Sequence, residues 1–111
     1  MSVSETLFKL KSKPTKELER IFVNKEACGL WCIYRSFHII SKDGLEFLNN
    51  TCDEIIKTGR KFTRTSDAKK FLNKFERDLS EVEDSTPDYE WIDKAIPFLL
   101  GEKKIVIEVL E

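Results

Sequence analysis

Cys28, Cys32, His38 and Cys52 are the residue types that hold zinc, spaced C-x3-C-x5-H-x13-C. Structural zinc sites usually seat two ligands two to four residues apart on a turn, so that both reach one ion. Here the first pair falls in a stretch that reads as a strand, where residues four apart stand roughly 13 Å from each other. Cys28-Gly-Leu-Trp-Cys32 also has one intervening residue too many for a dithiol redox motif, and no helix start to depress the leading thiol. His38 is the single histidine, no G-x-S-x-G elbow occurs, and Gly29, Gly44, Gly59 and Gly101 are too scattered to cradle a phosphate. Carboxylate-only hydrolysis has no pattern in its support. The expectation is three buried, reduced thiols, no metal, no cofactor and no catalytic residues.

Charge is distributed less evenly than its sum. The whole chain has 19 Lys and Arg, 20 Asp and Glu, and a net charge of -1. Residues 76–93, however, set Glu76, Asp78, Glu81, Glu83, Asp84, Asp88, Glu90 and Asp93 against Arg77 alone. Residues 57–70 set Lys57, Arg60, Lys61, Arg64, Lys69 and Lys70 against Asp67. The near-neutral total conceals two opposed local fields.

The acidic segment surrounds Tyr89 and Trp91 with carboxylates at a loop-to-helix junction. Part of that acidity serves the helix dipole. Trp91 lies on an apolar stripe with Ile92 and Ile96, whereas Tyr89 lies off it and is the better exposed aromatic. A ring within charge of one sign suits a protein interface, the charge steering encounter and the ring supplying desolvated contact. The expected partner-binding set is Glu81, Glu83, Asp84, Asp88, Tyr89, Glu90 and Asp93. Its expected partner is a protein with a basic surface, such as a toxin nuclease whose groove must be positive to hold phosphates. An immunity or inhibitor protein is thus the leading expectation. An accessory nucleic-acid binder using Lys57–Lys70 is the alternative, although Phe62 is that segment's only aromatic. A structural subunit that self-associates through an edge strand, Leu7–Lys11 or Ile105–Leu110, is a third.

The 111 residues suffice for one domain, and 41% hydrophobic content gives it a core. The start lacks the basic and apolar regions of a secretory signal, and no apolar run approaches the ~20 residues of a membrane span. A cytoplasmic protein with no membrane partner is expected.

These residues need elements to position them. Phe8 and Leu10 alternate with lysines, as on an edge strand. Leu18, Ile21 and Phe22 share the face of a short helix after Pro14. Residues 28–40 are rich in aromatic and β-branched side chains, and Trp31, Ile33, Phe37 and Ile39 alternate onto one face, which predicts a strand. Asp43 and Glu46 read as a capping box for a helix through Leu45, Leu48, Cys52 and Ile55, ended by Gly59. Thr65 or Ser66 caps a helix with the stripe Ala68, Phe71, Leu72, Phe75, Leu79 and Val82. Thr86 starts another through Trp91, Ile92, Ala95, Ile96 and Leu99, with Pro97 kinking or ending it. Ile105–Leu110 is a last strand. The predicted fold class is α+β: one domain over residues 1–111, with residues 1–4 flexible. Three to four helices pack on a two- to four-stranded, mostly antiparallel sheet.

Overall fold

The computed structural model describes residues 3–110. The elements run β1 (Ser4–Leu10), α1 (Lys16–Phe22), α2 (Lys25–Phe37), α3 (Lys42–Thr58), α4 (Thr65–Glu83), α5 (Glu90–Leu99) and β2 (Lys103–Val109). This corrects the predicted fold class: among the described residues five helices, not three or four, accompany two strands, and those strands are parallel rather than antiparallel. Ser4 lies opposite Lys103 and Leu10 opposite Val109. Parallel strands need a long crossover, and here the whole helical body between the two ends of the chain supplies it. Among the described residues each strand leaves its other edge unpaired. Of the residues expected to be flexible, Met1 and Ser2 lie outside the described residues, and Ser4 opens β1.

The predicted strand at 28–40 is overturned as well, because Lys25–Phe37 is helix α2. Its N-cap is Asn24, whose side chain accepts a hydrogen bond from the Ala27 N–H at 2.9 Å. Every residue from Glu26 to Tyr34 is buried. A helix surrounded on all sides has no polar face and so shows no helical periodicity. Phe37 and Ile39, expected to share one face with Trp31 and Ile33, are exposed, Ile39 completely, whereas Trp31 and Ile33 are buried. α2 is the central rod, packed on α5, α3, α1 and β2. Its crossing with α5 is close because residue 29 is glycine: a Cβ there would meet Phe98 Cβ at 2.9 Å.

Helices α3 and α4 coincide with the predicted helices, but their caps differ. Ser41 caps α3, its Oγ accepting from the Gly44 N–H at 3.1 Å. Arg64 occupies the N-cap of α4 without a side-chain hydrogen bond, and Tyr89, not Thr86, precedes α5. Pro97 is accommodated within α5, which continues to Leu99. Ala68, Leu72, Phe75 and Leu79 of α4 enter the core, whereas Val82 at the end of the stripe is exposed. Residues around Phe62 form no strand, yet Phe62 is buried. Tyr34, Phe75 and Trp91 meet edge to face with centroids 5.0–6.0 Å apart. Each such side chain, fully buried, contributes about 1.5–3 kcal/mol of apolar transfer. No described helix is long and apolar enough to cross a membrane.

Candidate functional site

The end of α4, the loop 84–89 and the first turn of α5 bring the acidic residues to one shoulder. Asp84 ends α4 in the left-handed conformation (φ 53°), which aspartate tolerates better than most residues. The chain thereby turns back along α4. Glu81, Asp84, Tyr89, Glu90 and Asp93 are exposed, Tyr89 by 47%, while Glu83 and Asp88 are half-buried. Trp91 is fully buried.

Two of these acids also serve the fold. The Glu83 carboxylate accepts from the Ser41 backbone N–H at 2.9 Å and from the Ser41 hydroxyl, tying α4 to the start of α3. That approach requires Gly44, since a Cβ there would collide with the Glu83 carboxylate. Asp88 Oδ1 accepts from the Glu90 N–H at 3.1 Å, an Asx turn into α5. Beneath them Glu76, 4% exposed, accepts from Trp91 Nε1 at 2.8 Å and from the Asp88 N–H at 3.2 Å. Among the described residues no lysine or arginine lies within 4.0 Å of Glu76, Glu81, Glu83, Asp84, Asp88, Glu90 or Asp93. The one basic group that near is His38, its Nε2 3.6 Å from Asp88 Oδ2.

A cleft of about 490 Å³ opens beside the shoulder, walled by Tyr34, His38, Ser41, Glu76, Glu83 and Asp88, with Ser85 and Thr86 at its loop side. His38 stacks on Tyr34 with centroids 4.6 Å apart. Burial, and after it the carboxylates of Glu76, Glu83 and Asp88, push the Tyr34 hydroxyl above the ordinary tyrosine range. That hydroxyl is therefore a neutral donor facing three carboxylates. Sequence reasoning missed Tyr34, His38 and Glu76 as one group. Tyr34 and His38 are linked by helical spacing, four positions apart at the end of α2, which a strand would have kept apart.

The basic residues Lys57, Arg60, Lys61, Arg64, Lys69 and Lys70 are all exposed. Arg60 pairs with Asp67 at 3.0 Å and covers the rings of Phe62 and Phe71 at 4.8 and 5.3 Å. Lys61 Nζ lies 3.6 Å from the carboxylate of Glu26, which is fully buried. Phe62 is thus a core residue and cannot serve as a stacking platform.

The cysteines need a geometric correction. On helix α2, Cys28 and Cys32 share a face, with sulfurs 3.9 Å apart rather than the ~13 Å of a strand. Cys28 also stands near a helix N-terminus, the feature thought to be missing. Its thiolate is favoured by the hydrogen bond from Cys32, which lowers its pKa, whereas that bond and burial push the Cys32 thiol up. Burial pushes Cys52 up too, and its Sγ donates to the Ala27 carbonyl at 3.5 Å. Among the described residues no group of three or more His, Cys, Asp or Glu side chains is arranged to hold a metal ion. No family model, curated protein or solved structure matches this chain.

Proposed function

We propose that this protein is a non-enzymatic binding module whose acidic shoulder docks on a basic protein partner and neutralises it. The observation that carries the reading is a set of exposed carboxylates with no lysine or arginine of the described residues within 4.0 Å. Carboxylates left without cations project a field that accelerates encounter with a positive surface. Tyr89, exposed among them, supplies an aromatic contact at the centre. The substrate groove of a toxin nuclease is a partner of the required sign, and an acidic cover over it would exclude nucleic acid as an immunity protein does.

Charge reversal at Asp84, Asp88 and Glu90 to lysine tests this. Stopped-flow association with the basic partner should slow about tenfold at low ionic strength and lose most of its salt dependence. Unchanged association in the triple variant overturns the reading.

The alternative, nucleic-acid binding through Lys57–Lys70, draws on a groove lined by Arg60, Lys69, Lys70, Lys74 and Arg77. It would give salt-sensitive retention of RNA or DNA that is lost in the Arg60, Lys61, Arg64 triple alanine variant. The pairing of Arg60 and Lys61 within the chain, and the burial of Phe62, weigh against it.

A further inference from the structure

The cleft beside the shoulder carries more charge than its own chain balances. Glu76, Glu83 and Asp88 all act on Tyr34, Arg35 opposes them weakly, and among the described residues His38 is the one basic group within 4.0 Å of the three carboxylates. One polar side chain on the same walls is also unused. Tyr34 is 4% exposed, lines the cleft, and its hydroxyl makes no hydrogen bond among the described residues. His38 Nε2 is buried against Asp88 at 3.6 Å and has its neighbour within the chain. A group entering the cleft can therefore pair with the Tyr34 hydroxyl.

We propose that this cleft receives a guanidinium group, an arginine side chain of the basic partner entering between Tyr34, His38, Glu83 and Asp88. The proposal deepens the docking reading and rests on it for the source of the arginine. A cation is favoured because Glu76, Glu83 and Asp88 line one cleft with no lysine or arginine of the described residues within 4.0 Å. A guanidinium is favoured over an ammonium because its fixed fork of N–H groups can bond two carboxylates at once, whereas an ammonium is a single point charge. The free lone pairs of Asp88 and Glu83 can accept its N–H groups, each oxygen having room for a second hydrogen bond. The Tyr34 hydroxyl oxygen can accept one more. Glu76 is held by Trp91 and Asp88, so it acts from behind the wall through its charge.

The test uses the full chain and two neutral-backbone probes, N-acetyl-arginine methylamide and its lysine counterpart, followed by NMR. The arginine probe should shift the Tyr34 ring and the Ser85 and Thr86 amides saturably, and bind about fivefold more tightly than the lysine probe. Asp88→Asn, which keeps an acceptor for the Glu90 N–H, should weaken the arginine probe about tenfold, and Tyr34→Phe about threefold. Asp84→Asn, outside the cleft, should change it by less than about twofold. No saturable shift, equal binding of both probes, or undiminished binding in Asp88→Asn would overturn the proposal. If the arginine probe fails while charge reversal on the shoulder still slows partner association, the cleft assignment falls and the docking reading stands. If it binds while that association is unchanged, the docking reading falls and the guanidinium site remains.

Discussion

Two buried glutamates show how differently the two halves of the molecule treat charge. Glu26, in the first turn of α2 on the basic side, is fully buried, and neither carboxylate oxygen has a hydrogen bond. Lys25 and Lys61 hold it instead, at 3.4 and 3.6 Å. Glu76, under the acidic shoulder, has no lysine or arginine nearby but accepts two hydrogen bonds, from Trp91 and from the Asp88 backbone. One carboxylate is balanced by charge without hydrogen bonds, the other by hydrogen bonds without a cation. The basic segment therefore spends part of its charge at home, while of the acids from Glu76 to Asp93 only Asp78 has a lysine or arginine of the described residues within 4.0 Å.

The comparison can be broken most forcefully at Glu76. Glu76→Met strands the Trp91 indole N–H and the Asp88 N–H in the interior and should cost about 3 kcal/mol, read as a lowered urea midpoint with unchanged slope. Glu26→Met should behave otherwise. It removes a charge that has no hydrogen bonds to lose, and Lys25 and Lys61, half or more exposed, return to water without leaving a buried charge behind. Stability within about 1 kcal/mol of the parent, or above it, is expected there. Equal losses at the two sites would erase the distinction.

A smaller effect sharpens it through pH. Tyr34 has its folded pKa raised by burial and the neighbouring carboxylates. A group raised in this way stabilises fully below its unfolded value, near 10, and loses that contribution as pH rises through the folded value. Between about pH 8 and about pH 10.5 the parent should therefore lose about 0.8 kcal/mol more than Tyr34→Phe. The raised thiols of Cys32 and Cys52 titrate alike in both proteins, so the difference isolates Tyr34. Parallel stability curves for the two proteins would mean that burial and the carboxylates do not raise this hydroxyl.

Legibility in the sequence followed exposure. Helix α4 was readable because one face is wet: Ala68, Leu72, Phe75 and Leu79 recur against a background of charge. Helix α2 was not, because burial from Glu26 to Tyr34 on every side removes that contrast, leaving β-branched and aromatic composition as the only signal. Asn24, three residues before Ala27, was the overlooked mark of its start. Misreading α2 also separated Cys28 from Cys32 and Tyr34 from His38, so the cleft could not be assembled. The carboxylates of the shoulder were visible as a run of letters. Their lack of internal counter-charges was not, since ion pairing depends on which side chains converge.

By itself the sequence determined where the chain carries acid and base, which stretches alternate between wet and dry faces, and that Trp91 belongs to an apolar stripe. Those properties are local, set by side-chain chemistry and spacing. The tertiary structure alone decided that β1 and β2 pair in parallel across the whole chain, that α2 runs through the centre, and that Tyr34 and His38 face Glu76, Glu83 and Asp88. Each of these depends on contacts between residues distant in sequence, whose free energy exists only once the helices have packed.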